Sequence, residues 1–344
     1  MTLAEVVLVV AWIGVTFYAL LGGADFGAGF WDLFAGGARR GWAQRELIEH
    51  SIGPVWEANH VWLIFTLVVL WTGFPPVFAA VMSTMIIPLT LAAFGVIMRG
   101  AAFAFRKVVD ALWLKQVFGA SFAASSVLTP FFLGTVTGGV ATGRVPPGNA
   151  RGDLITSWLN PTSLLGGTLA VGVCAYLAAV FLVRDAEREG HDRLVEQFRA
   201  RALGTGAALG IIALGGIFVL RADAPRLFEG LTGRALPLVV ASAVFGLVSL
   251  VLLVRRRFVA VRVTAALAVV AIVWGWAAGQ YPYMLEPGLT IEQAAAGRAT
   301  LTAMLVSLAI GALLLVPSMT WLFVIFQREQ DPHARSVNGE RGVR

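Results

Sequence analysis

Four ionisable residues stand out because of where they fall. Asp25, Asp32, Glu57 and His60 lie in the stretch from Gly22 to Phe65, GGADFGAGFWDLFAGGARRGWAQRELIEHSIGPVWEANHVWLIF. That stretch begins at the end of one apolar run and finishes inside the next. Glu57 and His60 sit in a segment that otherwise has the composition of a membrane span. Charge is costly in hydrocarbon, so an ionisable group there points to a proton relay, a coupling-ion site or a ligand. A pair of carboxylates at one end of a bundle, each able to take up and release a proton, is what proton uptake from that face requires. The plain structural alternative is that Asp25 caps a helix end and Glu57 pairs with a loop arginine such as Arg45. Asp32, next to Trp31, is expected to be solvated or ion-paired.

The same stretch bears on redox metals. Glu57-Ala58-Asn59-His60 is an E-x-x-H on a helix, and a di-iron bundle needs two of these plus two further glutamates. The chain has one. His50, His191 and His333 are expected in loops or the tail, so paired histidines for haem are not available inside the membrane. Met82, Met85, Met98, Met304 and Met319 lie in apolar runs, where packing is the expected role. The single cysteine, Cys174, rules out an intrachain disulfide and a thiolate metal site. This chain alone therefore is not expected to bind a metal. His60 is left as a ligand shared with a partner chain, a proton relay or a satisfied polar group. Gly22, Gly23, Gly27 and Gly29 surround Asp25. No strand precedes them, so they are not a nucleotide loop. They are expected to let helices approach closely or to break the helix beside Asp25.

The elements that position these residues follow from composition. Of 344 residues, 58% are hydrophobic and 13% charged, against about 25% charged in soluble domains. Mean hydropathy is +0.79. A soluble fold could not hide so much apolar surface, so the chain reads as an all-α polytopic membrane protein. The net charge of +6 comes from arginines between apolar runs and reflects topology, with no nucleic-acid partner expected. The first apolar run lacks a basic n-region and a small-residue cleavage site, so it is expected to be a retained span.

Nine apolar runs approach the length of about 20 residues that a crossing needs. They cover roughly 3–23, 52–74, 77–99, 117–138, 162–183, 203–220, 236–254, 258–278 and 301–326. Most of the 26 Lys and Arg residues fall in the loops after the odd-numbered spans one to seven and in the tail. Arg99 is counted among these loop residues. The other side holds Arg144, Arg151, Arg221, Arg226, Arg234 and Arg298. Basic loops face the cytoplasm, so the N-terminus is expected outside and the C-terminus inside. Asp25 then ends the first span near the cytoplasm, and Glu57, about five residues into the second, lies roughly 7–8 Å deep. The two are expected at similar depth. The expected architecture is two four-helix units, 1–138 and 139–281, then an external segment with a peripheral ninth helix at 282–327 and a cytoplasmic tail at 328–344. The external stretch Gln280 to Thr300 reads as an interface loop, or as a quinone or partner contact.

Three separated motifs carry a resemblance. GADFGAGF resembles the G-x-D-x-G-x-G ending of the first helix in subunit II of the cytochrome bd-type quinol oxidases. IGPVWEANHVWLI is similar to that family's IGP-x-W-[DE]-x-N-x-VWLI, in which Trp56, Asn59 and Trp62 support the acid at Glu57, as Gly27 and Gly29 support Asp25. YPYMLEPGLTIEQAAAGRATL resembles its aromatic-Pro-aromatic segment before the last helix, and Asn160-Pro161 before the fifth span also fits. The resemblance implies a two-subunit respiratory oxidase of the bacterial cytoplasmic membrane that oxidises ubiquinol or menaquinol and reduces oxygen to water. It implies that haems b and d reside in a partner subunit I, against which this chain packs. It leaves room for a structural quinone and a small single-helix third subunit, with membrane lipids around the complex. The family's acid in the second motif lines a proton route, which implies that role for Glu57, with Asp25 and His60 nearby. This chain departs from the family in three places. Gly22-Gly23-Ala24 replaces a further acid, Glu57 stands where Asp is common, and His60 stands where Gln or Glu is common. Without the resemblance, an ion-coupled transporter using Asp25 and Glu57, or a scaffold without chemistry, would be the competing readings.

Overall fold

The first apolar run does not stop at Gly23. In the computed structural model, α1 (Leu3–Phe17) passes through a π-helical turn (Tyr18–Gly22) into α2 (Gly23–Leu33), forming one span over Leu3–Leu33. Thr2 and Glu5 close a reciprocal capping box at its start. Gly22 and Gly23 keep helical dihedrals, so the expected break beside Asp25 is instead an inserted residue within a continuous helix. The structure describes residues 1–36, 41–52, 56–106, 108–109 and 111–329. The side chains of residues 52, 56–58, 106, 112, 316, 319–320 and 322–329 lie outside the description. Trp56 and Glu57 are thus described in their backbone only, and Pro54, His333 and the tail from 330 onward lie outside the described residues.

After α3 (Trp42–Ile52), which carries His50 on a helix and not in a loop, α4 (Trp56–Gly73) falls where the second span is expected. Pro75-Pro76 then open α5 (Pro75–Thr84), bent from α4 by 119°. The expected third span is therefore displaced. It starts at α6 (Ile86–Arg106), because Pro88 has no N–H to give to the Thr84 carbonyl and the short helix before it cannot run straight on. This displacement corrects the placement of Arg99, which lies inside α6 and not in a loop.

Then follow α7 (Leu112–Ala141), α8 (Pro161–Arg188), α9 (Asp192–Asp223), α10 (Pro225–Thr232), α11 (Leu236–Val254) and α12 (Phe258–Gln280). A two-stranded antiparallel hairpin, β1 (Tyr283–Leu285) and β2 (Leu289–Thr290), and the turn α13 (Ile291–Ala294) lead into α14 (Arg298–Glu329). Arg184, Arg188, Arg193, Arg199 and Arg201, expected in a loop, ride on helical extensions of α8 and α9. Among the described residues, eight helices are long and apolar enough to cross a membrane, or nine when the bent pair of α4 and α5 is taken as one.

The first span is the hub. Its N-terminal half packs on α4 and α12, where Trp12 stacks on Trp276 at 5.2 Å and Trp274 Nε1 donates to Thr16 Oγ1 at 3.1 Å. Its C-terminal half, α2, packs on α7 and α8, and Trp31 Nε1 donates to the Ala175 carbonyl at 2.8 Å. The hairpin is folded into the bundle, with Leu285 and Ile291 buried beside Val7, Phe74 and Val77. By contrast, α9, α11 and α14 turn large apolar side chains outward, including Ile211, Phe218, Leu247 and Leu313. Hydrocarbon or a partner subunit solvates such faces where water would not.

Gly27 sits at the closest approach of α2 to α8, where a Cβ would collide with the Cys174 backbone carbonyl. Backbone cannot yield as a side-chain tip does. Gly27→Ala is expected to cost about 1–3 kcal/mol or more, whereas Gly210→Ala, with open space around its Cβ, should be neutral or slightly stabilising. Thermal unfolding of the purified chain in detergent separates them, and equal midpoints would show that the α2–α8 contact is looser than described.

Candidate functional site: a polar corner at the first span

Among the described residues, Asp25 faces an arginine. Its Oδ1 accepts from Arg99 Nη2 at 2.6 Å, and its own carbonyl accepts from the same nitrogen at 2.9 Å. The pair is closed to solvent, with side-chain exposures of 1% for Arg99 and 2% for Asp25. Arg99 Nη1 donates to Ser126 Oγ of α7, which in turn donates to the Phe122 carbonyl at 2.6 Å. The guanidinium carbon lies 4.2 Å from the Phe122 ring centre and 5.1 Å from that of Phe26. Two aromatic faces and a carboxylate thus replace the hydration that burial removes. A Cβ at Gly29 would strike Ser126 and Arg99, so the glycine is what lets α7 and the guanidinium reach this depth.

The π-helical turn shapes the other side of the corner. An inserted residue leaves carbonyls without a regular intrahelical partner, and such turns recur at functional sites. Asn59 Nδ2, on α4, donates to the Leu21 carbonyl at 3.3 Å. Asn59 is therefore a fastener between the first two crossings. One residue on, the His60 ring lies 5.8 Å from Phe26 and 6.2 Å from Tyr18. Trp62 stacks on Phe17 at 4.5 Å and holds the same pair of helices together. Tyr18 Oη, Asp25 Oδ2 and Arg99 Nε are buried without a hydrogen-bond partner among the described residues. Three buried polar atoms without a partner, two of them on the one ion pair, are more than packing alone accounts for.

Asp32 is fixed as well. It accepts from Arg45 Nε at 2.8 Å, while Arg45 Nη2 donates to the Gly36 carbonyl at 2.6 Å. This bears out the ion-paired expectation for Asp32 and shows Arg45 engaged there. The structure therefore brings together Asp25, His60, Asn59, Gly27 and Gly29, whereas the side chains of Glu57 and Trp56 lie outside the described residues. Sequence reasoning missed Arg99, Ser126, Tyr18 and Phe26. A signal for Arg99 was present, since the run RGAAFAF continues apolar after it and a true loop would not. At the far end, Glu286 of the hairpin is 7% exposed. Burial pushes its carboxyl above the ordinary range, against the opposing pull of Arg226 and Arg234.

Among the described residues no group of three His, Cys, Asp or Glu side chains is arranged to hold a metal ion. His60 is flanked by the Tyr18 and Phe26 rings, which does not fit a planar macrocycle beside its nitrogen.

The long apolar helices, the closed ion pair and the charged corner define a multi-span helical membrane protein organised around its first crossing. The family model for cytochrome bd terminal oxidase subunit II matches residues 3–326, and the chain belongs to that family. Among curated relatives, it is 30% identical over 178 residues to the cytochrome bd ubiquinol oxidase subunit 2 of Bacillus subtilis, covering 51% of each chain. It is 27% identical over 210 residues to the cytochrome bd-I ubiquinol oxidase subunit 2 of Escherichia coli, covering 59% of this chain and 53% of that one. The matched region thus spans about half the length of these two relatives. Its fold is similar to that of a chain of the bd oxidase from Geobacillus thermodenitrificans, with TM-score 0.75 and 25% identity over 95% of this chain and 99% of that one.

Removing one member of a buried ion pair strands the other charge. Asp25→Asn is expected to destabilise the chain by about 3–5 kcal/mol, and the double change Asp25→Leu with Arg99→Met to recover most of that. Thermal unfolding of the three variants measures it. A double variant as unstable as the single would mean that the polar groups themselves, not the stranded charge, set the cost.

Proposed function

We propose that the chain acts as subunit II of a terminal quinol:oxygen oxidoreductase of the cytochrome bd type in a bacterial plasma membrane. In this reading it packs against a haem-bearing subunit I and helps conduct protons from the cytoplasm toward the site of oxygen reduction. The observation that carries the reading is a buried polar corner, inside the first two crossings, in a chain of this family over 3–326. The haems belong to the partner and supply the electron transfer to oxygen. What this chain supplies is a place for protons and a rigid frame around it.

The excess of arginine on one side supports an external N-terminus and a cytoplasmic C-terminus. The corner then lies toward the cytoplasm. Glu57 is three residues before His60 on α4, so the two fall on one stripe of that helix. Protons enter at Glu57 and pass toward His60, Tyr18 Oη and Asp25 Oδ2. Arg99 and Ser126 hold Asp25 in place, and Asn59 and Trp62 hold α4 against the first span. The nine crossings, a structural quinone and a small third subunit belong to the same reading, as does the choice of ubiquinol or menaquinol.

Glu57→Gln keeps the size of the side chain and removes its proton exchange. In the complex purified with its haem-bearing partner, quinol-driven oxygen consumption is expected to fall by about a hundredfold, while the haem absorption spectrum and the elution position stay as in the parent. Full turnover in an assembled variant would remove Glu57 from the route. Failure of the chain to copurify with any haem-bearing subunit would overturn the oxidase reading itself.

A further inference from the structure

The turn between α11 and α12 is RRR, Arg255 to Arg257, and all three side chains are exposed. Arg256 pairs with Glu196 at 2.8 Å, and Glu196 also takes Arg199 at 3.0 Å. No carboxylate pairs with Arg255 or Arg257 among the described residues. The turn is flanked by outward apolar side chains, Val254 on α11 and Val259 on α12, exposed by 58% and 61%. Unneutralised positive charge thus sits where two lipid-facing helices end.

A groove of about 440 Å³ lies along α12, beginning at Arg262, five residues past this turn. It is lined by Leu20 of the π-helical turn, Phe181 of α8, and Arg262, Ala266 and Val270 of α12. Its walls are almost wholly apolar apart from Arg262. That guanidinium is held by Asp185 Oδ1 and the Phe181 carbonyl, both at 2.5 Å, so its charge is already matched. Its Nε is buried with no hydrogen-bond partner among the described residues. Arg262 is five residues beyond Arg257, or about 7.5 Å along the helix, and Val270 is about 12 Å further. An anionic headgroup at the turn with a chain descending past Arg262 matches those distances. Basic pockets between crossings on the arginine-rich side of a membrane protein attract such headgroups.

We propose that this groove binds one anionic membrane phospholipid. Arg255 and Arg257 hold its phosphate, and one acyl chain lies between α12, α8 and the π-helical turn. The inference rests only on the chain's place in a membrane. Loss of lipid selectivity would therefore leave the oxidase reading untouched, and an inactive oxidase would leave lipid binding measurable.

The test is native mass spectrometry of the delipidated full chain, in complex with its partner, titrated with phosphatidylglycerol or with phosphatidylcholine of the same acyl composition. One phosphatidylglycerol is expected to bind several-fold more tightly than phosphatidylcholine. Arg255→Gln with Arg257→Gln should weaken phosphatidylglycerol by about fivefold per arginine and leave phosphatidylcholine unchanged. Ala266→Phe fills the groove and should weaken both lipids; should it not fold, the arginine pair decides alone. Arg226→Gln with Arg234→Gln, at the opposite end of the bundle, should change neither. Equal binding of the two lipids, an unchanged preference in the Arg255/Arg257 variant, or displacement of the lipid by millimolar inorganic phosphate would each overturn the proposal.

Discussion

A guanidinium with almost no exposure, 2.6 Å from an equally buried carboxylate, sets the terms for the packing of α2, α6 and α7. Moving two charges out of water is expensive, and their attraction offsets the cost only when geometry is good and the remaining donors are used. Arg99, on α6, meets most of those terms through two further helices at once, with only Nε left unpartnered among the described residues. It takes Asp25 and a backbone carbonyl from α2, Ser126 from α7, and aromatic faces from Phe26 and Phe122. None of these contacts tolerates a slip of one residue in any helix. The pair therefore ties the register of α2, α6 and α7 together, in a setting where apolar side chains against lipid would allow many registers.

Small residues make that interaction reachable. Gly29 yields room to Ser126 and Arg99, while Gly27 lets α2 lie against the Cys174 carbonyl of α8. The π-helical turn just before them adds a residue and re-aims Tyr18 and the start of α2, and Asn59 takes a carbonyl from within it. Motif glycines, motif Asn and motif Asp are thus parts of one joint. Its glycines clear space, its Asn ties α4 to the first span, and its Asp anchors the arginine.

The fold class and the apolar crossings were legible because hydrocarbon demands long uninterrupted apolar helices, and composition records that demand directly. The corner was legible for a related reason, since Asp25 and His60 violate the pattern around them. Arg99 was not. An arginine near the end of an apolar run looks like a loop residue, and only the displacement of α6 by Pro75-Pro76 and Pro88 carries it inside. Tyr18, Phe26 and Ser126 are ordinary membrane-helix residues, so nothing in their type marks them. The π-helical turn leaves no local sequence signature beyond glycines that fit close packing equally well. The external strands were missed because a hairpin of three and two residues is below what period-two alternation resolves.

The geometry also redistributes the chemistry among the four residues first singled out. Asp32 is engaged by Arg45, and Asp25 by Arg99 through one oxygen and its carbonyl. An acid clamped this way is a poor choice for a mobile carrier, because a carrier must turn between donor and acceptor, and turning would strand Arg99. What Asp25 offers is a fixed carboxylate whose second oxygen, Oδ2, is buried without a hydrogen-bond partner among the described residues, as Tyr18 Oη is. In the proposed route the moving part therefore lies elsewhere. Glu57, three residues before His60 on α4, is the acid proposed for it, and its side chain lies outside the described residues. A glutamate is one methylene longer than an aspartate, which suits such a part where Asp25 and Asp32 are held by arginines.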